Sequence, residues 1–183
     1  MSKFVLIDGH SILNRAFYGV PIFTNSEGLH TNAVFGFLNI MFKIIDSKQP
    51  DYMAVAFDVH QPTFRHEMFK DYKGTRKPMM EELREQVPVI KELLQKMNIT
   101  TVELPGYEAD DVIGTLSKKG EKAGMEVDVI SGDRDLLQLA SDHITICIPK
   151  TKKGQTTVEE YNTEGVMKLY KVTPTEFIDV KAL

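Results

Sequence analysis

Hydrophobic and polar positions along the chain alternate between two periods. Short apolar runs bounded by turn residues occur at KFVLID (3–8), YMAVAFD (52–58), ITTVEL (99–104), MEVDVIS (125–131) and ITICIP (144–149), and these predict β-strands. Between them, AVFGFLNIMFKIID, MEELREQVPVIKELLQKM, EADDVIGTLSKKGEKAG and the short RDLLQLA place apolar residues three and four apart, the spacing of helices with one buried face. Pro88 falls inside the second of these and predicts a kink. Strand followed by helix, repeated, predicts an α/β fold: a mostly parallel central sheet with helices on both faces.

Composition narrows this picture without redirecting it. A chain of 183 residues, 42% hydrophobic, with no repeat and no Gly/Ser linker, predicts one domain over residues 1–183. FVLI and VFGFL are far too short to span a bilayer, and the N-terminal MSKFVLIDGHS lacks the apolar core of a signal peptide, so a soluble cytoplasmic protein with no membrane role is expected. Cys147 is the single cysteine; it excludes an internal disulfide and, within ITICIP, reads as an apolar strand residue. A net charge of −4 does not announce nucleic-acid binding, so any such binding must rest on segregated charge.

The charge is segregated. In a parallel sheet the loops after the strands gather at one edge, where ligands bind. Asp8 closes the first strand, Asp58 the second, and Asp133 and Asp135 follow the fourth; Glu108, Asp110 and Asp111 in PGYEADD open the helix after the third. Each has an ordinary reading as a helix cap, a turn former or a first-turn acid favoured by the helix dipole. Helical spacing puts Glu108 and Asp111 on one face, with Asp110 about 100° away. Seven carboxylates from four strand ends are another matter. Like charges about 4 Å apart repel by about 4 kcal/mol at an effective dielectric of 20, so the cluster needs cations or raised pKa values. Among immediate neighbours only Arg134 could compensate. Zinc prefers sulfur and imidazole, whereas this donor set is all oxygen, which favours Mg²⁺ or Mn²⁺ shared with a substrate phosphate. Paired ions of that kind serve phosphodiester hydrolysis.

Directly after Asp58, residues 60–77 carry Arg65, Lys70, Lys73, Arg76 and Lys77 against two acids, interleaved with Phe64, Phe69 and Tyr72. A solvated loop or helix would carry the same charges. Beside an acidic strand end, however, the mixture suits a surface that grips phosphates and stacks bases, so we assign Arg65, Lys70, Tyr72 and Lys77 to DNA binding along with Lys73 and Arg76.

In this order, FVLIDGHSILNRAFYG, VAFD, FRHEMFKDYKGTRKP, PGYEADDVIGTL and ISGDRDLLQL resemble the 5′ nuclease domain at the N-terminus of bacterial DNA polymerase I, related to flap endonucleases and more remotely to PIN domains. The resemblance implies a PIN-like fold and a metal-dependent 5′-3′ exonuclease and flap endonuclease. Its partners would be DNA with a 5′ single-stranded flap or nick and RNA primers, bound by a monomer. It implies a first metal site of Asp8, Asp58, Glu108 and Asp110, a second drawing on Asp133 and Asp135, and Asp111 at or near the ligands. Lys73 and Arg76 would be catalytic, reaching the scissile phosphate, with Tyr72 stacking near the terminal bases; Arg15, Phe17 and Tyr18 match a gateway for the strand. In the family a Gly-rich hairpin and two further aspartates follow the position of Leu183, and Asp179 is neither of them. The implied expectation is a fragment without its duplex-binding hairpin and polymerase domains, whose alternative reading is a metal- and DNA-binding piece that cuts poorly. A phosphoacceptor receiver also places acids at such an edge, but it needs paired acids after the first strand, where this chain has Asp8 alone.

Overall fold

The computed structural model describes residues 1–59, 61–69, 72, 74, 78–152 and 155–182. Six strands form one sheet: β1 (Lys3–Asp8), β2 (Tyr52–Ala56), β3 (Thr100–Val102), β4 (Glu126–Ile130), β5 (Ile144–Lys152) and β6 (Gln155–Tyr161), in the order β3-β2-β1-β4-β5-β6. All neighbours are parallel except β5 and β6, which run antiparallel. The helices are α1 (Gly9–Gly19), α2 (Asn32–Lys48), α3 (Phe64–Met68), α4 (Glu81–Arg84), α5 (Gln86–Lys96), α6 (Ala109–Lys122), α7 (Thr163–Tyr170) and α8 (Phe177–Ala182), with a 3-10 helix over Arg134–Leu139. The α/β expectation of a mostly parallel sheet covered on both faces holds.

Alternation along each strand divides the core. Val5, Ile7 and Val55 face one layer, where Leu13 and Phe17 of α1, Phe37 and Ile44 of α2 and Ile90 of α5 are buried. Leu6, Val127 and Val129 face the other, with Ile113 of α6, Leu136 and Leu137 of the 3-10 helix, Val166 of α7 and Phe177 of α8. Strands buried on both faces are why the sequence reads as continuous apolar runs. Cys147 is fully buried in the first layer, as its setting suggested.

The expected kink shows as a lapse in the hydrogen-bond ladder at Glu85, whose backbone stays right-handed helical at φ -65 and ψ -23. One helix was anticipated across residues 80–97, but α4 ends at Arg84 and α5 begins at Gln86. Pro88 has no N–H to donate to the Arg84 carbonyl four residues back, and its ring crowds that carbonyl, so the interruption falls one turn upstream of the proline. Five elements outside the expected set are α1, α3, β6, α7 and α8. Of these α1 matters most, because Asp8 caps it: its carboxylate accepts the Ser11 N–H at 3.0 Å. Gly9 follows, where a Cβ would stand 2.3 Å from the Phe57 ring. The end of β1 therefore turns at once into a helix pressed against the end of β2.

From β1 the chain passes to β2 and β3 on one side and to β4 on the other. The strand order reverses between β1 and β4, and at such a switch point the flanking loops separate and leave a crevice at the carboxyl ends of the strands. Asp8 and Asp133 stand on either side of it.

Candidate functional site

Burial dominates the behaviour of Asp8, which is 5% exposed at the end of β1. Its carboxyl is pushed up to about 6, although the Ser11 amide and Ser131 hydroxyl hydrogen bonds favour the charged form; Asp58 and Asp133 add repulsion. Ser131 donates to Asp8 Oδ2 at 2.8 Å while its oxygen accepts the Asp133 N–H at 3.0 Å, tying β1 to the loop after β4. Ser11 extends the tie by accepting the Gly132 N–H at 2.8 Å.

Asp58 reaches from the end of β2 to the next helix, where its Oδ1 accepts the Ala109 N–H at 2.7 Å. Its own N–H lies 3.1 Å from His10 Nδ1, and the same ring nitrogen is 3.7 Å from the Asp58 carboxylate. Gly106, at φ +86, makes the turn that leads the chain into α6. Glu108 caps α6 in a reciprocal arrangement: its side chain accepts the Asp111 N–H, and Asp111 accepts the Glu108 N–H at 3.0 Å.

Asp110 is the meeting point. Its carboxyl is pushed up to about 7, first by burial and then by repulsion from Asp8, Asp133, Asp58 and Glu108. One side chain thus feels acids from all four strand ends. Among the described residues no three carboxylates or imidazoles stand within a single coordination sphere, so the acids form a rim around Asp110 and not a closed cage.

Two members of the seven are engaged elsewhere. Arg65 of α3 forms a two-pronged bridge to Asp111, both bonds 2.7 Å, and lies 3.7 Å from Glu108. Those acids, Asp111 first, raise its pKa. Asp135, half exposed after the 3-10 helix begins, pairs with Lys181 of α8 at 2.7 Å. The compensating cations therefore come from distant positions, whereas Arg134, the near neighbour, turns away to Tyr170. Asp133 caps the 3-10 helix by accepting the Asp135 N–H at 2.8 Å.

The aromatic and basic candidates divide similarly. Tyr72 donates to Glu108 Oε2 at 3.3 Å, so its hydroxyl touches the rim. Tyr18 is 69% exposed on α1. Phe17 corrects the expected DNA contact: it is 3% exposed within the first core layer and offers only its edge to Tyr18, 5.2 Å away between ring centres. Arg15 lies against Gly132 and its Nε is buried with no hydrogen-bond partner among the described residues; burial lowers the pKa of the guanidinium. Lys70, Lys73, Arg76 and Lys77 lie outside the described residues. Sequence reasoning missed Ser11, Ser131 and His10. Their signal was present, since each is a polar residue at or just beyond the end of an apolar strand.

Residues 3–171 match the family described as the 5′-3′ exonuclease, N-terminal resolvase-like domain. The chain belongs to that family. It is a nuclease domain, and the acid rim is its candidate centre. Over 181 residues it is 51% identical to DNA polymerase I of Bacillus caldotenax, which covers 99% of this chain and 20% of that protein; the chain spans about a fifth of its curated relative. In fold it is similar to the T5 5′-exonuclease with bound zinc, at a TM-score of 0.75 and 23% identity, covering 99% of this chain and 66% of that one. The bacteriophage T5 flap endonuclease in a complex with DNA and metal ions aligns with a TM-score of 0.74 at 23% identity, covering 98% and 65%. No helix among the described residues of this nuclease domain is long and apolar enough to cross a membrane.

The Arg65 bridge carries a direct expectation. Arg65→Met should destabilise the domain by about 1–2 kcal/mol in urea denaturation, because a charge-assisted pair is lost at a site only partly open to water. Arg65→Lys should not restore it, since an ammonium cannot make both bonds. In a double-mutant cycle with Asp111→Asn the effects should be non-additive; additive losses would mean the two side chains do not interact in solution.

Proposed function

We propose that this domain is a divalent-metal-dependent 5′-3′ exonuclease and structure-specific flap endonuclease. It hydrolyses phosphodiesters of DNA, and of RNA primers, at 5′ flaps and nicks during replication and repair, as a monomer in the cytoplasm. The observation that carries the reading is the convergence of strand-end acids: Ser131 joins Asp8 to the Asp133 backbone, and Asp58 is bound to the Ala109 amide next to Glu108 and Asp110. Such a group is stabilised by a multivalent cation, and its donors are all hard oxygens suited to Mg²⁺ or Mn²⁺. The metal-bound and DNA-bound T5 enzymes of similar fold support the same chemistry.

In this reading Asp8, Asp58, Glu108 and Asp110 would draw together from their open, metal-free positions to hold one ion, and Asp133 with Asp135 would contribute to a second. Bound there, divalent ions activate water and stabilise the leaving oxygen of a phosphodiester. The chain's own residues do the rest. Ser131 and Ser11 fix the Asp8 carboxylate relative to the loop after β4. His10 and the Ala109 amide hold Asp58 at the mouth of α6. Asp111, bridged by Arg65, sets Glu108 through its backbone amide. Lys73 and Arg76 would contact the scissile phosphate, with Tyr72 beside Glu108 stacking on the 5′ bases and Arg15, Tyr18, Lys70 and Lys77 contacting the strand.

The test is cleavage of a labelled 5′-flap duplex. Mg²⁺ or Mn²⁺ should release the flap near the single-strand junction, EDTA should stop the reaction, and an equivalent 3′ flap should remain intact. Cleavage undiminished by EDTA, or none with either metal, would refute the reading.

A further inference from the structure

A groove of about 740 Å³ begins at the acid rim and runs along α6 toward its C-terminal end. Asp110 and Asp135 line it at one end, Gly114 in the middle, and Lys118, Lys119 and Lys122 at the other. The 3-10 helix forms the opposite wall through Leu136 and Leu139. The three lysines are exposed and, at i, i+1 and i+4, share one side of α6. Lys118 pairs with Glu121 on its own helix, while Lys119 and Lys122 form no ion pair among the described residues. Lysines in a last helical turn are favoured by the helix dipole, which accounts for their sign but not for a groove joining them to a carboxylate rim.

We infer that this groove is a binding track for one single-stranded segment of nucleic acid, whose phosphates leave the acid rim and are received in turn by Lys118, Lys119 and Lys122. The inference rests on the nuclease reading and adds a path to it. Charge complementarity selects the occupant: a polyanion can approach the acids only where cations neutralise them, and past the rim the next fixed charges in the groove are positive. The absence of an aromatic side chain on its lysine end suits a backbone track that reads no sequence, in contrast to the Tyr72 end. Length is consistent. From Asp110 to Lys122 is twelve residues, about 18 Å of helix, which sets an upper limit of about five phosphates at the roughly 3.4 Å axial rise of a fully stacked strand and fewer in an extended one.

The experiment measures anisotropy of labelled oligothymidylates of two to ten nucleotides across a salt series, with Ca²⁺ in place of Mg²⁺ to occupy oxygen sites. Each phosphate contact on a single strand contributes about 0.7 to the slope of log affinity against log salt. The triple variant Lys118→Gln, Lys119→Gln, Lys122→Gln should lower that slope by about 2, and affinity of the parent should rise with length until at most about five nucleotides and then level. Lys96→Gln, on the exposed side of α5 and outside the groove, should leave the slope unchanged. All four positions are exposed, and unchanged far-ultraviolet circular dichroism verifies folding. Equal slopes for parent and triple variant, in a parent that still cleaves a 5′ flap, overturn the track and leave the nuclease reading standing. An equal fall with Lys96→Gln also overturns it, because net charge alone would explain the result. A parent that neither binds the oligomers nor cleaves overturns both.

Discussion

Asp110→Asn should reduce metal-dependent flap cleavage at least about a thousandfold while leaving the domain as stable as the parent or more so. The two effects have one cause. Asp110 is the carboxylate that Asp8, Asp58, Glu108 and Asp133 all oppose, so removing its charge relieves four repulsions in the metal-free protein. The same removal deletes one of the proposed ion donors, and loss of an ion's placement acts on both water activation and leaving-group stabilisation, where about 4 kcal/mol corresponds to a thousandfold in rate. Asp111→Asn supplies the contrast. Its carboxylate is bound to Arg65 and to the Glu108 amide, so it acts on the rim through Glu108, and a loss of about 10- to 100-fold is expected. Single-turnover cleavage at saturating Mg²⁺ measures both. Equal losses for the two variants would place Asp111 among the ligands, and a destabilised Asp110→Asn would mean that the rim does not repel.

The sequence made the sheet legible where burial on both faces imposed continuous apolar runs, as in FVLI and AVAF. It hid elements whose contacts are local or edge-bound. The β6 segment QTTVEEY is a polar edge strand paired only to β5, and α1 begins and ends in glycine, which conceals a helix fixed by the Asp8 cap and by contact with Phe57. The reversal of strand order at β1 is likewise a property of chain topology, yet it decides that Asp8 and Asp133 face one crevice.

At the site, local spacing identified the acids but not their partners. Arg65 lies 46 positions from Asp111, as does Lys181 from Asp135, distances over which periodicity says nothing. Considering only Arg134 as a compensating cation overstated the uncompensated charge: Asp111 and Asp135 are paired, and the uncompensated repulsion gathers on Asp110 and Asp8. Phe17 and Tyr18 show the same limit from the other side. Adjacent aromatic residues in NRAFYG look alike in sequence, and the helix turns one into the core and the other into solvent.

The contribution of Asp8 and Asp110 to the stability of the metal-free domain should fall as pH rises from about 4 to about 8, and millimolar Mg²⁺ should abolish most of that fall. The folded-state carboxyls of Asp8 and Asp110 lie at about 6 and about 7, both above the ordinary 3.8, so in this window the folded protein holds more protons than the unfolded chain. That contribution then decreases with pH, because its slope follows protons bound unfolded minus protons bound folded. Above about pH 8 both groups are ionised and the cost is complete, on the order of several kcal/mol after allowance for the partial exposure of Asp110. A divalent cation binds the ionised form, so at 100 times its dissociation constant it adds about 2.7 kcal/mol at pH 8, and it adds little at pH 5, where protons compete for the same oxygens. Urea denaturation at pH 5, 6, 7 and 8, with EDTA or Mg²⁺, separates the contributions. Asp110→Asn should flatten the EDTA profile and shrink the Mg²⁺ effect together, since one carboxylate underlies both. A parent whose stability in EDTA rises steadily to pH 8, or whose response to Mg²⁺ is as large at pH 5 as at pH 8, would show that these acids do not share a cation.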